Sequence, residues 1–257
     1  MDADQYLFEI LERETVDSSL YSPVRAVQAT LLPTISEWAG LALQSIKPSG
    51  SFAKGTANHS STDIDLFISL STPTSLREIY ETLYKKMRPY GAKKQNVSIN
   101  VRVGDYDVDL VPARLLQNDN SQDHSLYRQR ADTWTKTNVD THIATVRAAG
   151  FLAESRILKL WRDQHRLDCP SFYLEMTVIE ALVGQRRPGG PYQYGSLSSN
   201  VMAVFDYMQR RFAVARVVDP ANTNNILSDD VTDSEKAKIR SAANQAFIAS
   251  DWRYVVQ

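Results

Sequence analysis

The chain has 257 residues, of which 43% are hydrophobic and 23% charged, a composition typical of a globular protein with one large or two modest domains. Its formal net charge of -1 excludes a global attraction to nucleic acid or to an anionic membrane, so any phosphate binding must come from local lysine and arginine clusters. The one cysteine, Cys169, cannot form an internal disulfide, and the acidic N-terminus lacks the apolar run of a signal peptide. Since no apolar run is long enough to cross a bilayer, we expect a cytoplasmic protein without a membrane partner.

The first half of the chain predicts an α/β arrangement. Apolar periodicity and β-branched runs predict helices over residues 4–14, 23–45 (interrupted or kinked at Pro33) and 75–88, and strands over residues 63–70, 96–103 and 106–113. Gly104-Asp105 between the last two strands is typical of a hairpin turn. Together these elements predict a mixed sheet flanked by helices.

The second half predicts helices, since strand signals stop after about residue 138. The predicted helices cover residues 140–166, 171–185, 196–213 and 232–255, with loops at Gly189-Gly190-Pro191 and at residues 219–225. Thr232 and Glu235 have the spacing of a capping box at the start of the last helix. We therefore predict an α+β fold with two domains, residues 1–135 and residues 136–257.

Two pairs of aspartates lie on predicted strands. Asp63 and Asp65 are two residues apart, so they point to the same face of the strand and repel each other unless a cation lies between them. Magnesium suits that arrangement, because it takes oxygen ligands and keeps substrate phosphates in its shell. Asp107 and Asp109 form a second pair, and one of them could complete a set of three carboxylates. Such a set with two metal ions is the recurring apparatus for in-line attack on a phosphoryl group.

The stretch before Asp63 supplies backbone donors. Gly50-Ser51 and Gly55-Thr56 predict a turn whose N–H groups can approach a triphosphate closely, because glycine has no side chain in the way. Ser51 adds a hydroxyl and Lys54 adds a charge. The alternative is a polar loop followed by an edge strand with two solvated aspartates.

The motif set Gly50-Ser51, Gly55-Thr56, Asp63-Ile64-Asp65 and Val108-Asp109-Leu110-Val111-Pro112 resembles the polymerase-β-type nucleotidyltransferase superfamily. The resemblance implies that Asp63, Asp65 and Asp109 are the catalytic metal ligands. They would bind two Mg²⁺ ions, and Mn²⁺ could replace Mg²⁺. Asp107 then flanks the site, although the two could exchange roles because they share a face. The resemblance also implies a catalytic core in residues 1–135, a helical nucleotide-binding domain in residues 136–257, and an active-site cleft between them.

The helical half carries a stripe of three cations, Arg156, Lys159 and Arg162, which is ordinarily a solvated charged face. However, "RILKLW" resembles the R-x-x-K-x-W of template-independent nucleotidyltransferases, in which the lysine reaches the triphosphate. The resemblance carries that role to Lys159.

"SFYLE" resembles the Ser-Tyr-x-Leu-Glu of the same enzymes, which implies that Ser171 contacts phosphate. Either Phe172 or Tyr173 would stack on the base, while the other packs in the core. "DPANTNN" at residues 219–225 resembles a segment of oligoadenylate synthases and of bacterial CD-NTases, the makers of cyclic oligonucleotide messengers. An asparagine-rich turn is the alternative for that segment.

These resemblances imply a CD-NTase-like synthase that joins ATP or other NTPs into linear or cyclic oligonucleotides for antiphage-type signalling. Gly50, Ser51, Lys159 and Ser171 would hold the triphosphate as pyrophosphate is released. The alternatives are a tRNA CCA-adding enzyme, transfer to a protein or small-molecule hydroxyl, and a nucleotide-binding module without catalysis.

Nucleic acid is a disfavoured partner, because the charge is near neutral and a large RNA footprint needs many phosphate contacts. The basic cluster is interpreted as two solvated faces; its members are Lys85, Lys86, Arg88, Lys93 and Lys94. We expect a monomer.

Overall fold

The structure, a computed structural model, describes residues 2–19, 21–61, 63–116, 122–183 and 195–257. The chain forms two compact units. The sheet unit comprises Val16–Lys54 and Ser61–Ala144, and the helical unit comprises Met1–Thr15, Gly55–Ser60 and Thr145–Gln257. The predicted α+β fold class is confirmed. The division predicted at residue 135 does not coincide with these units, because the first helix and residues 55–60 belong to the helical unit. The assignment of functional domains to residues 1–135 and 136–257 stays a prediction.

Among its described residues, the sheet unit contains three complete α-helices, seven strands and the beginning of a further helix, α5 (Val139–Ala149). The complete helices and the strands are α2 (Pro23–Ala39), β1 (Leu43–Pro48), α3 (Gly50–Lys54), β2 (Ile64–Leu70), α4 (Leu76–Met87), β3 (Lys93–Lys94), β4 (Ile99–Val103), β5 (Tyr106–Leu115), β6 (His124–Arg128) and β7 (Thr133–Thr137). The strand order is β1-β2-β5-β4-β3, and β6 pairs with β5 and with β7. Only the β2–β5 pairing is parallel among these described strands, so the predicted mixed sheet is confirmed.

Two expectations for the sheet unit need correction. The helix predicted over residues 23–45 ends at Ala39, where Gly40 takes a positive φ of 54°, and residues 43–48 form β1 instead. Pairing with β2 outweighs the helical prediction for residues 43–45. Pro33 lies inside α2 without interrupting it. Strands β6 and β7 had no clear sequence signal, whereas the hairpin at Gly104-Asp105 is confirmed by the pairing of Val103 with Tyr106.

Helices α2 and α4 cover the apolar face of the sheet. The buried apolar side chains of β2, β4 and β5 pack with those of the two helices into one core. Its fully buried members include Leu31, Ile64, Leu66, Leu83, Val108 and Leu110. The opposite face of β2 and β5 is therefore the one that can carry polar side chains.

The helical unit has its own apolar core. Its elements are α1 (Ala3–Arg13), the end of α5 (Val139–Ala149), α6 (Leu152–Gln164), α7 (Ser171–Val183), α8 (Leu197–Arg211), β8 (Val218–Asp219), β9 (Asn222–Ile226) and α9 (Asp233–Ile248). The single helix predicted over residues 140–166 is two helices, because Gly150 takes a φ of 80° between them. The capping box is confirmed, since Thr232 Oγ1 accepts from Glu235 N and Thr232 N donates to Glu235 Oε2.

The hairpin β8–β9 was not predicted, because its short strands carry no clear apolar alternation. The loop predicted at Gly189–Pro191 lies outside the described residues. Among the described residues, no helix is both long and apolar enough to cross a membrane.

One histidine of the sheet unit is buried and has a hydrogen-bond partner at each ring nitrogen, an arrangement that suits the neutral form. His124 Nδ1 faces the carbonyl of Gln122 at 2.8 Å, so Nδ1 donates, and Nε2 accepts from Ser69 Oγ at 2.7 Å. The edge of its ring packs against Phe67. Burial lowers the pKa of His124, and the charge of Lys47 lowers it further, against weaker opposing effects of the Gln122 carbonyl and of Asp140 and Asp123.

Because the pKa of His124 is lower in the folded than in the unfolded chain, its contribution to stability is complete above about pH 6.5 and is lost as the pH falls below that value. We expect a shift from about pH 7.5 to about pH 5.5 to destabilise the wild type more than a His124→Gln variant. Urea unfolding of both proteins at the two pH values measures this. Equal losses would contradict the assignment of a neutral buried histidine.

Candidate active site

Strands β2 and β5 bring two of the predicted catalytic carboxylates together. Asp65 and Asp109 are direct partners in the parallel register of these strands. Partners in neighbouring parallel strands project to the same side of the sheet, with their backbones about 4.8 Å apart. Both aspartates are partly buried, and the chain neighbours on either side of each are fully buried: Ile64, Leu66, Val108 and Leu110. The alternation that placed the carboxylates on one face is therefore present in the fold.

The Gly-Ser turn lies directly against Asp65. Gly50 has a φ of 57°, and a β-carbon at this position would lie 1.7 Å from Asp65 Oδ2 and 2.4 Å from Asp65 Cγ. Only glycine leaves room for the carboxylate, and only glycine adopts this backbone conformation readily. The amide of Ser49 also donates to the carbonyl of Asp65 at 2.8 Å. The predicted turn is the first turn of the short helix α3, in which Ser51 is the second residue.

Asp109 is an ionisable group in a poorly solvated position. Its carboxylate accepts hydrogen bonds from Asn100 Nδ2 at 2.9 Å and from Ser98 Oγ at 3.5 Å. Burial nevertheless raises the pKa of Asp109, and the negative charge of Asp107 adds to the increase, while the two hydrogen bonds oppose it. A bound cation would favour the ionised form of Asp109 and so oppose the effect of burial.

The register separates Asp107 from the site. Asp107 is exposed and pairs with Arg102 Nη1 at 2.7 Å, in a cross-strand pair between β5 and β4. Asp109, and not Asp107, is the residue opposite Asp65. The geometry thus supports the assignment of Asp109 as the third carboxylate, while its catalytic role stays a prediction.

Asp63 is exposed and directly precedes β2. Within the part of the chain that the structure describes, no three Asp, Glu, His or Cys side chains are gathered into a complete metal-binding cluster. The in-register pair Asp65 and Asp109 still fits magnesium, which is commonly held by one or two carboxylates together with substrate phosphates and water. The donor set is all oxygen, as this ion requires.

Lys159, predicted to reach a triphosphate, lies inside the helical unit. It is 4% exposed. Its Nζ forms an ion pair with Glu175 Oε1 at 3.1 Å and donates to the carbonyl of Thr56 at 3.2 Å. The cationic stripe is thus not a solvated face, since Arg156 is also only partly exposed. The triphosphate role of Lys159 stays a prediction.

Ser171 and the two predicted stacking rings lie at the start of α7. Ser171 Oγ accepts from Arg162 Nη1 at 2.8 Å. Tyr173 is 1% exposed and stacks on Phe212 with a centroid distance of 5.0 Å, so its ring is part of the helical core. Phe172 is only partly buried, and it is therefore the ring that a base could reach more readily.

Sequence reasoning left Arg162 out of the phosphate-binding set. Its guanidinium donates a hydrogen bond to Ser171. The two residues are nine positions apart and lie on different helices, α6 and α7, so helical periodicity does not relate them. The stripe to which Arg162 belongs was the one available hint. The contact itself depends on how α6 packs against α7.

Two further sequence features are structural. The "DPANTNN" segment covers the last residue of β8, the two-residue turn and most of β9, and Asp219 accepts from Ala221 N at 2.8 Å and from Asn225 Nδ2 at 3.1 Å. In the basic cluster, Lys86 pairs with Glu37 and Lys94 pairs with Glu81. The ion pairs favour the surface-charge interpretation of the basic cluster, whereas the asparagines of the segment lie on β9 and not in a turn.

No protein-family model matches the chain. Over 227 residues the chain is 26% identical to the cyclic AMP-AMP-AMP synthase of Escherichia coli (strain MS 115-1), in a match that covers 80% of this chain and 70% of that protein. The chain is a homologue of that synthase.

Solved structures show the same fold. The E. coli MS115-1 CdnC, solved with HORMA-deltaN, has a TM-score of 0.75 at 20% identity and covers 98% of this chain and 94% of its own. The Bradyrhizobium diazoefficiens CD-NTase CdnG, solved with GTP, has a TM-score of 0.77 at 13% identity over 95% of this chain and 91% of its own. A poly(U) polymerase bound to MgATP has a TM-score of 0.68 at 14% identity, covering 95% and 92% of the two chains. The fold is thus that of CD-NTases and of polymerase-β-like nucleotidyltransferases.

The contact between Gly50 and Asp65 predicts a specific sensitivity. Gly50→Ala and Gly104→Ala both place alanine at a left-handed φ, 57° and 58° respectively, but a β-carbon at Gly104 has no neighbour within 4 Å. We expect Gly50→Ala to lose about 1–3 kcal/mol more of the free energy of unfolding than Gly104→Ala, because overpacking adds to the shared backbone strain. Chemical denaturation of both variants tests this, and equal losses would contradict the close contact.

The raised pKa of Asp109 predicts a stabilising substitution. A carboxyl whose folded pKa exceeds its unfolded value stabilises the fold at low pH and destabilises it once ionised, as the pH rises through the folded pKa. In EDTA near neutral pH, we expect Asp109→Asn to raise the free energy of unfolding by about 0.5–1.5 kcal/mol. The exposed Asp107→Asn serves as the control and should change stability by no more than about 0.5 kcal/mol. A destabilised Asp109→Asn protein would refute the argument.

Proposed function

We propose that this protein is a CD-NTase-like nucleotidyltransferase that joins NTPs into a short linear or cyclic oligonucleotide messenger and releases pyrophosphate. The observation that carries the proposal is the juxtaposition of Asp65 with Asp109 across β2 and β5, with Gly50 packed on the Asp65 carboxylate. A solvated edge strand would need neither the parallel register nor a residue without a side chain at position 50. Homology to the E. coli synthase supports the proposal independently.

The reaction forms one bond and breaks one. A ribose hydroxyl oxygen attacks the α-phosphorus of an NTP, a new P–O bond forms, and the bond to the β-phosphate breaks to release pyrophosphate. Asp63, Asp65 and Asp109 would hold magnesium, with two ions as the full complement. The metal would lower the pKa of the attacking hydroxyl and neutralise charge on the leaving group.

Asp109 would help to activate the attacking hydroxyl. As a ligand of the cation, Asp109 would keep the attacking hydroxyl beside the ion that lowers the pKa of that hydroxyl. Asn100 orients the group through its hydrogen bond to one carboxylate oxygen. The second carboxylate oxygen can then face the cation and the substrate.

The triphosphate would lie against Gly50 and Ser51. The first N–H groups of α3 have no carbonyl within the helix to pair with, and the absence of a side chain at Gly50 allows phosphate oxygens to approach the backbone. We also propose that Ser171, with Arg162 beside it, contacts phosphate, and that Phe172 stacks on a base. Lys159 is retained as a proposed triphosphate contact, although its ammonium is engaged by Glu175 here.

The acceptor is the point on which rival activities differ. A tRNA-modifying or poly(U)-type activity would use the same carboxylates with an RNA 3′-hydroxyl, and the poly(U) polymerase likeness shows that this fold hosts such chemistry in another protein. Near-neutral charge and the ion pairs of Lys86 and Lys94 favour small NTP acceptors instead. We place the reaction in the cytoplasm, where NTPs are available, and treat the protein as a monomer.

The decisive test is product analysis. Purified protein is incubated with each labelled NTP and with mixtures, in Mg²⁺ or Mn²⁺, and the products are resolved by mass. We expect phosphatase-resistant oligonucleotides and pyrophosphate, with the rate reduced roughly a hundredfold or more in Asp65→Asn and in Asp109→Asn. The matched control is Asp107→Asn, which removes a nearby carboxylate of the same strand and should stay active.

Other outcomes reassign the activity. Label transferred to added tRNA, but no product from NTPs alone, would replace the synthase with an RNA-modifying enzyme. Equal activity of wild type and Asp65→Asn would show that the carboxylate pair is not the catalytic site.

A further inference from the structure

Residues 55–60 are a short segment of the helical unit whose two ends continue into the sheet unit. They join α3, which begins at Gly50, to the stretch that contains Asp63. Two side chains of this segment are buried although they are polar: Thr56 is 0% exposed and Asn58 is 2% exposed. Buried polar groups need hydrogen-bond partners, so these two residues identify where the segment is anchored.

Thr56 is the first anchor. Its hydroxyl donates to Glu175 Oε1, and Glu175 is fully buried on α7. Lys159 Nζ pairs with the same carboxylate oxygen at 3.1 Å and also donates to the Thr56 carbonyl at 3.2 Å. Glu175 and Lys159 together therefore bind both the side chain and the backbone of Thr56.

Asn58 is the second anchor. It donates to the carbonyl of Arg156 at 3.0 Å, and Arg156 Nε donates back to Asn58 Oδ1 at 3.1 Å. The next two amides of the segment, those of His59 and Ser60, donate to the backbone and the carboxylate of Glu14. Arg156 also donates to the Glu14 carbonyl at 2.8 Å, so one guanidinium joins the segment to the end of α1.

Both anchors depend on α6 residues three positions apart, Arg156 and Lys159, whose spacing places them on one side of the helix. A buried ion pair contributes little net stability compared with apolar packing, but it imposes strict geometry on its partners. If burial alone were required, apolar side chains at positions 56 and 58 would suffice. The arrangement instead determines the path of the chain.

We propose that Glu175, acting through Thr56 and Lys159, is a positioning residue that fixes the path of residues 55–60 between the Gly50 turn and Asp63. Its relevance to catalysis rests on the nucleotidyl transfer proposed above. In this role Glu175 contacts no substrate, and Lys159 anchors the connector in addition to making its proposed triphosphate contact. Loss of the anchor should therefore lower turnover, whereas loss of a direct triphosphate contact should raise the KM for NTP.

Thr56→Val tests the proposal without leaving an unpaired buried charge, because Lys159 and Glu175 keep each other. The measurements are hydrogen exchange of the His59 and Ser60 amides and steady-state pyrophosphate release. We expect exchange about tenfold faster or more, and kcat lower by about tenfold with KM for NTP changed by less than about twofold. Thr56→Ser, which restores the hydroxyl, should recover both values.

Thr177→Val is the matched control. Thr177 is also 0% exposed in the same unit, but its hydroxyl donates to the Tyr173 carbonyl within α7. It should leave the exchange of residues 55–60 and the turnover unchanged. Unaltered exchange in Thr56→Val would overturn the positioning role, and so would an equal effect of Thr177→Val or a failure of Thr56→Ser to recover.

The two proposals fail differently. A wild type that releases no pyrophosphate from any NTP, while Thr56→Val still accelerates exchange, would refute the proposed reaction and support the anchor. A loss of turnover caused wholly by a raised KM would show that the network acts on substrate binding and would overturn the positioning role.

Discussion

The parallel pairing of β2 with β5 is the constraint on which the candidate site depends. The register places Asp65 opposite Asp109, and a slip of one residue would turn every side chain of β2 to the other face. A slip of two residues would preserve the faces but place Asp65 opposite Asp107, which is exposed and paired with Arg102. The buried apolar residues on either side of the two aspartates hold the register, since slipping by one residue would expose them.

The same register concentrates negative charge where solvation is poor. Asp109 has a raised pKa, and the Asp65 carboxylate lies against the α-carbon of Gly50. Burial of Asp109 lowers the stability of the folded state once its carboxylate is ionised, because a buried charge loses solvation. A divalent cation and a nucleotide triphosphate would reverse the balance, which is why perturbed carboxylates of this kind are found at functional sites.

The helical unit follows a different principle. Its core is apolar around α6, α7 and α8, but the network of Thr56, Lys159 and Glu175 is inserted into it. Hydrophobic burial supplies most of the stability of such a unit, while a buried polar network contributes specificity of geometry. In this unit the network binds the connector of residues 55–60 through Thr56.

The sequence by itself determined the fold class and the two strands that carry the paired aspartates. Alternation of apolar residues around Asp63, Asp65 and Asp109 is a local property with a period of two, so it survives without knowledge of the partner strand. The Gly-Ser motif was recognisable because it too is local in the sequence. Residues 43–45 were misassigned as helix, because so short a stretch fits either period and only pairing with β2 decides between them.

Only the tertiary structure decided which groups meet. The strand register separates Asp109 from Asp107, and the packing of α7 against α8 places Tyr173 in the core and leaves Phe172 partly exposed. Lys159 looked like a surface cation on its stripe, yet its partner Glu175 lies sixteen residues away on another helix. Contacts between distant segments depend on how elements pack, and periodicity within one segment carries no information about that packing.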